Sequence, residues 1–194
     1  MLRRLPDDLS RAGVQRWALV GGLAIGPRAE PRFTRDVDLV VDVTSDLEAE
    51  RITRSLQETG YRTIALLEHD SGRLATVRLT SPGEHTKAVV VDLLFASSGV
   101  EAEVAASAES LEYIAGLTVP VAQRGDLIAL KVLARDDRHR PQDLVDLRAL
   151  LAVASPADLQ RARFLLELIT QRRYHRGKAL LAELDGLLQS ASTP

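Results

Sequence analysis

Two stretches set the fold of this chain: Ala18-Leu19-Val20-Gly21-Gly22-Leu23-Ala24-Ile25, and then Phe33-Thr34-Arg35-Asp36-Val37-Asp38-Leu39-Val40-Val41. Trp17 to Val20 is a short apolar run that stops at a glycine pair, which predicts a strand ending in a turn. A short helix over about Leu23 to Arg28 is expected directly after it, limited by Pro27 and Pro31. Val37 to Val43 is β-rich and apolar with interspersed Asp, a strand signal. Side chains alternate along a strand, so Asp36 and Asp38 point to the same side, roughly 6 to 7 Å apart.

Two carboxylates held that close repel unless a cation neutralises them. Magnesium takes hard oxygen ligands, usually one or two carboxylates together with substrate phosphates. Glycines let a backbone approach a phosphate closely, and the free N–H groups at a helix start favour anions. Gly21 and Gly22 therefore offer a place for a triphosphate beside a metal held by Asp36 and Asp38. Taken alone, an Asp-x-Asp on a solvated edge strand carries little weight, and a lone Gly-Gly less. Their order, with Asp36 fourteen positions after Gly22, is what gives the pair meaning.

Asp92 lies inside Val89-Val90-Val91-Asp92-Leu93-Leu94-Phe95, where an ionised carboxylate without a partner is costly. It either meets a local donor or faces a cation at the sheet surface. On a strand next to Asp36 and Asp38 it would complete a two-metal site, which stabilises the attacking and leaving oxygens of an in-line phosphoryl displacement. It could also accept the proton of the attacking hydroxyl.

Outward from these stretches, residues 5–15 read as a helix with Pro6 early and Asp7 and Asp8 in its first turn. Ser45 and Glu48 form a capping box that opens a helix running to about Thr59 and stopping at Gly60. Tyr61–Leu67, Leu74–Leu79 and Ala88–Phe95 read as strands. The order predicts an α/β unit with a mixed sheet. Beyond Gly99 come a helix over Val100–Ala108, an extended segment over Leu117–Val121, and then helices over Asp126–Arg135, Pro141–Val153, Pro156–Arg172 and Arg176–Ser190. A boundary near residue 122 is expected, dividing a catalytic domain (1–122) from a helical C-terminal domain (123–194).

Of 194 residues, 45% are hydrophobic and 27% charged, a globular composition. The net charge of −2 argues against a protein that coats nucleic acid through overall basicity. The chain has no cysteine, which excludes disulfides, thiol catalysis and cysteine-bound zinc. The N-terminus has two arginines but no apolar h-region, and no stretch approaches the roughly 18 to 20 apolar residues of a membrane helix. A soluble, cytoplasmic protein is expected.

Gly21-Gly22, then Thr34-Arg35-Asp36-Val37-Asp38-Leu39, then an isolated Asp in a later apolar strand together resemble the polymerase-beta-like nucleotidyltransferase superfamily. Within it the chain is most similar to the AbiEii/AbiGii toxin family, including the MenT-type toxins of type IV toxin–antitoxin systems. The likeness runs from about Trp17 to Leu151. It departs from the many members that have Gly-Ser at Gly21-Gly22, and the missing hydroxyl removes one phosphate contact. The resemblance implies a catalytic domain followed by a helical bundle, with two magnesium ions at Asp36, Asp38 and Asp92. It implies an NTP held by Gly21, Gly22, Arg35 and Lys131, and an acceptor at the 3′ end of tRNA. Growth arrest would be relieved by a cognate antitoxin protein.

Lys131 falls on an apolar helical stripe beside Leu127, Ile128 and Ala134. There a lysine snorkels, pairs with an acid, or reaches triphosphate oxygens. Asp143 and Asp146 follow, three apart on one helix face; Asp143 suits helix capping, whereas Asp146 suits a partner such as Lys131. On the resemblance, Lys131 and Asp146 belong to the catalytic set, with Asp143 a lesser candidate. His69, His85, His139 and His175 show no ligand spacing. The basic run Arg172-Arg173-Tyr174-His175-Arg176-Gly177-Lys178 fits RNA phosphates and a solvated helix end equally well. Two other readings stand beside tRNA modification: transfer to a small hydroxyl compound such as an antibiotic, and a nucleotide- or antitoxin-binding module without turnover.

Overall fold

The computed structural model describes residues 2–30, 33–34, 36–83 and 88–191. Its elements in order are α1 (Leu5–Arg11), β1 (Trp17–Val20), α2 (Gly21–Ile25), β2 (Asp36–Val41), α3 (Asp46–Glu58), β3 (Arg62–Glu68), β4 (Leu74–Thr80) and β5 (Val90–Leu94). There follow α4 (Glu101–Ser107), β6 (Glu109–Ile114), β7 (Leu117–Val121), α5 (Arg124–Ala134), α6 (Pro141–Ala152), α7 (Pro156–Gln171) and α8 (Leu180–Ala191).

The strands form one seven-stranded sheet in the order β3-β4-β5-β2-β1-β7-β6. β2 pairs parallel with β5, and β1 parallel with β7, while the remaining pairings are antiparallel. The sheet is therefore mixed, as the sequence predicts. Its middle strand is β2, whose Val37, Leu39, Val40 and Val41 are all buried. Burying such side chains contributes about 1.5–3 kcal/mol each before chain entropy is set against it. That burial fixes register, because a slip by one residue would turn Asp36 and Asp38 into the core.

Three elements differ from the sequence expectation. α2 begins at Gly21 rather than after the glycines and ends at Ile25, so the glycine pair is its first turn. β6 was not expected; its alternating Glu109-Ser-Leu-Glu-Tyr-Ile114 pairs with β7 around Gly116, which has φ +73°. α8 starts at Leu180 rather than Arg176, because Arg173, Arg176 and Gly177 have φ of 67°, 53° and 72° and interrupt the helix.

The hydrophobic core is continuous from Leu5 through the sheet to Leu187 on α8. α5 is the link between sheet and C-terminal helices. A Cβ on Gly125 would lie 2.5 Å from the carbonyl oxygen of Asp158, so only glycine allows α5 and α7 to approach this closely. Next to it Asp126, fully buried, accepts from Arg161 Nε at 2.7 Å and from Ser107 Oγ at 3.0 Å. Burial raises the Asp126 pKa, against the opposing pull of Arg161.

Candidate active site

Sheet register brings the carboxylates together. Asp38 lies opposite Val20 on β1 and opposite Asp92 on β5. Because Gly21 directly follows Val20, its backbone sits over the Asp38 side chain. A Cβ there would be 1.8 Å from Asp38 Oδ2, and Gly21 has φ +62°. The position needs glycine for both space and backbone conformation.

Asp36, Asp38 and Asp92 all line one cleft of about 680 Å³, with Gly21, Gly22 and Thr34 beside them and Lys131, Arg140 and Arg176 on the helical side. The Asp38 carboxyl is pushed up to about 6, first by burial and next by the charge of Asp92, with Asp36 adding to the effect. Lys131 and Arg140 oppose the rise without cancelling it. Burial therefore dominates, and among the acidic neighbours Asp92 across the sheet acts more strongly than the strand partner Asp36.

Asp92 has a partner that was not read from the sequence. Arg78 on β4 lies directly opposite it and donates from Nε to Oδ1 at 2.8 Å and from Nη2 to Oδ2 at 2.7 Å. This two-pronged pair accounts for a carboxylate that is only 5% exposed. It also raises the Arg78 pKa, through that hydrogen bonding first and through the charges of Asp92, Asp36 and Asp38. The signal in the sequence was an arginine in an otherwise apolar strand. Pairing it with Asp92 requires the β4–β5 register, which the connection between them does not disclose.

Lys131 Nζ lies 2.7 Å from both Asp143 Oδ1 and Asp146 Oδ2. All three side chains are buried, so the expected Lys131–Asp146 pairing is present and Asp143 shares it. Gln142 donates to Asp146 Oδ1 at 3.2 Å. Arg140 Nε comes within 3.2 Å of Asp143 Oδ2 but is not aligned for a hydrogen bond. The ion triad joins α5 to α6 and sets the Lys131 ammonium at the cleft wall.

The basic run after α7 separates by role. Lys178 donates to the carbonyls of Leu133 and Arg135 at the end of α5, and Arg172 pairs with Glu103. Arg176 instead lines the cleft and donates to the Ser97 carbonyl at 3.0 Å. Burial lowers its pKa, and repulsion from Arg140 adds to this. Tyr174, against Gly99 and stacked on His69, anchors the segment. Of the expected nucleotide contacts, Arg35 lies outside the described residues, as does His85.

Among the described residues no group of three or more His, Asp or Glu side chains is arranged to hold a metal ion. Asp36 and Asp38 nevertheless suit a hard cation: two carboxylates on one strand face, one of them pushed towards protonation first by burial and then by the charge of Asp92. Asp92 is already neutralised by Arg78.

The family model described as nucleotidyl transferase AbiEii toxin, type IV TA system, matches residues 7–193. The chain belongs to that family. This AbiEii chain is accordingly a nucleotidyltransferase, and the enzyme reading stands over the module without turnover. None of the curated proteins compared with it matches in sequence. Among solved structures it is similar to a crystal structure of ANT(2″)-Ia in complex with adenylyl-2″-tobramycin, with TM-score 0.56 and 15% identity over 89% of this chain and 98% of that one. A solution structure of the antibiotic-resistance factor ANT(2″)-Ia gives TM-score 0.54 and 17% identity over 89% and 92%. At these identities the likeness is one of fold. It agrees with the mixed sheet and helical C-terminal part of the AbiEii chain.

Proposed function

We propose that this protein transfers a nucleoside monophosphate from an NTP to the 3′ end of tRNA in a magnesium-dependent reaction, and that a cognate antitoxin restrains it in the cytoplasm. The observation that carries the reading is the seating of Asp38 against Gly21, beside Asp36 and across from Asp92, at the floor of a cleft. Asp36 and Asp38 would hold magnesium, which when bound offsets negative charge on the triphosphate and at the α-phosphorus.

Each residue then has a task. Gly21 and Gly22 leave room for phosphate oxygens to approach the backbone. Lys131, oriented by Asp143 and Asp146, has a remaining N–H to give to the triphosphate. The acceptor hydroxyl attacks the α-phosphorus, an oxygen–phosphorus bond forms, and the bond to the pyrophosphate oxygen breaks. The hydroxyl proton passes to Asp92, which keeps lone pairs beyond the two that Arg78 occupies. Pyrophosphate leaves from the side lined by Lys131 and Arg140. On this reading residues 1–122 carry the catalytic domain, and the helical domain, 123–194, closes the cleft with Lys131.

A second reading differs only in the acceptor. The ANT(2″)-Ia structure contains adenylyl-2″-tobramycin, and a cleft of this shape would admit a small hydroxyl compound. Incubation with each α-labelled NTP, magnesium and either total tRNA or an aminoglycoside separates the two. Label at the tRNA 3′ end is expected; label on the aminoglycoside with none on tRNA would assign the small-molecule acceptor instead.

A further inference from the structure

Asp36 and Asp38 have no cation in ion-pair contact among the described residues. Asp92 does: its two oxygens are both held by Arg78, at 2.8 and 2.7 Å, in the fork geometry that a guanidinium makes with a carboxylate. Arg78 is on the strand next to Asp92 and stands in the same cleft. Its side chain is 46% exposed while that of Asp92 is 7% exposed, so the guanidinium borders the cleft beside Asp92, which lines it too.

The charges around the site can be followed pair by pair. Arg78 offsets Asp92. Lys131 and the nearby Arg140 offset Asp143 and Asp146. Arg176, also in the cleft, is offset by Glu101, whose charge acts on it, so what remains is the charge of Asp36 and Asp38, two negative charges, which one divalent cation neutralises. A second divalent ion at Asp92 would sit against the guanidinium, and like charges at that range in a partly buried cleft are unfavourable. We propose that the site takes one divalent metal ion per chain, at Asp36 and Asp38, and that Arg78 is a fixed cation occupying the place of a second ion at Asp92. Arg78 is thereby a positioning residue: it keeps Asp92 oriented towards the acceptor hydroxyl and supplies a positive charge that no metal has to bring.

The inference rests on the metal reading of Asp36 and Asp38, and metal counting distinguishes the failure of one from that of the other. The full-length protein is dialysed against manganese with a non-hydrolysable α,β-methylene analogue of each NTP in turn, and bound ions are counted by elemental analysis and by the manganese resonance signal. One ion per chain is expected for the native protein, and two for Arg78→Gln, in which Asp92 is released. Arg78→Lys, which keeps the charge but not the fork, is expected to stay at one. Arg78 is half-exposed, so Arg78→Gln should fold, and the native count is decisive without it. Two ions on the native protein would overturn the proposal and leave the metal reading standing, as would one ion on Arg78→Gln. No ion on any of the proteins would overturn the metal reading itself.

Discussion

Gly21 and Asp38 depend on one another. The glycine exists in a left-handed conformation so that the carboxylate can occupy the space where a Cβ would lie, 1.8 Å from Oδ2. Gly21→Ala must therefore push Asp38 away, and nucleotide transfer should fall by about 100-fold or more, the scale of loss from a misplacement near 1 Å. Initial rates of pyrophosphate release, with circular dichroism to confirm folding, check this. Asp38 also predicts a pH effect. Its folded carboxyl is raised to about 6 from an ordinary 3.8, so between those values the folded state holds more protons than the unfolded one. Stability of the metal-free protein then falls as pH rises through that window, and the cost is fully present above pH 6. Lowering the pH from 7 to 5 should raise the Tm of the native protein relative to Asp38→Asn by roughly 3 to 5 °C. A parallel pH dependence in the two proteins would contradict the strain at Asp38.

At the scale of elements, the central strands were legible because burial and alternation leave one register for Asp36–Val41. The Ser45 cap, which accepts from the Glu48 N–H while Glu48 reaches back to the Thr44 N–H, marks the start of α3 for an equally local reason. What could not be read depends on distant partners. Arg78 meets Asp92 only through the β4–β5 register, and β6 exists because β7 offers it an edge. The basic run after α7 has no local signal that sends Arg176 to the cleft and Lys178 to the end of α5. The contact that packs α5 against α7 belongs to this scale too. Gly125→Ala would force a Cβ against the Asp158 backbone, and α5 and α7 would have to separate. A loss of about 2 kcal/mol in unfolding free energy, read from the urea midpoint, is the expected outcome.

Across the whole molecule, the cleft has a sheet wall and a wall from the C-terminal part, each carrying both signs of charge. The sheet contributes Asp36, Asp38 and Asp92, α5 contributes Lys131, and the segments before α6 and after α7 contribute Arg140 and Arg176. A triphosphate with its metal bridges the two walls, so ligand binding should stabilise the fold as a unit. An NTP and magnesium at 100 times their dissociation constant would add about 2.7 kcal/mol, a Tm rise of roughly 5 to 10 °C that Asp38→Asn should lack. The proposed chemistry depends on the carboxylates within this cleft. The most direct measurement is therefore transfer itself. Native protein and Asp38→Asn, matched for folding, are incubated with α-labelled NTPs, magnesium and total tRNA. The native protein should move label to RNA with release of pyrophosphate, and Asp38→Asn should be slower by about 100-fold or more. Equal transfer by the two proteins would contradict the assignment of this site.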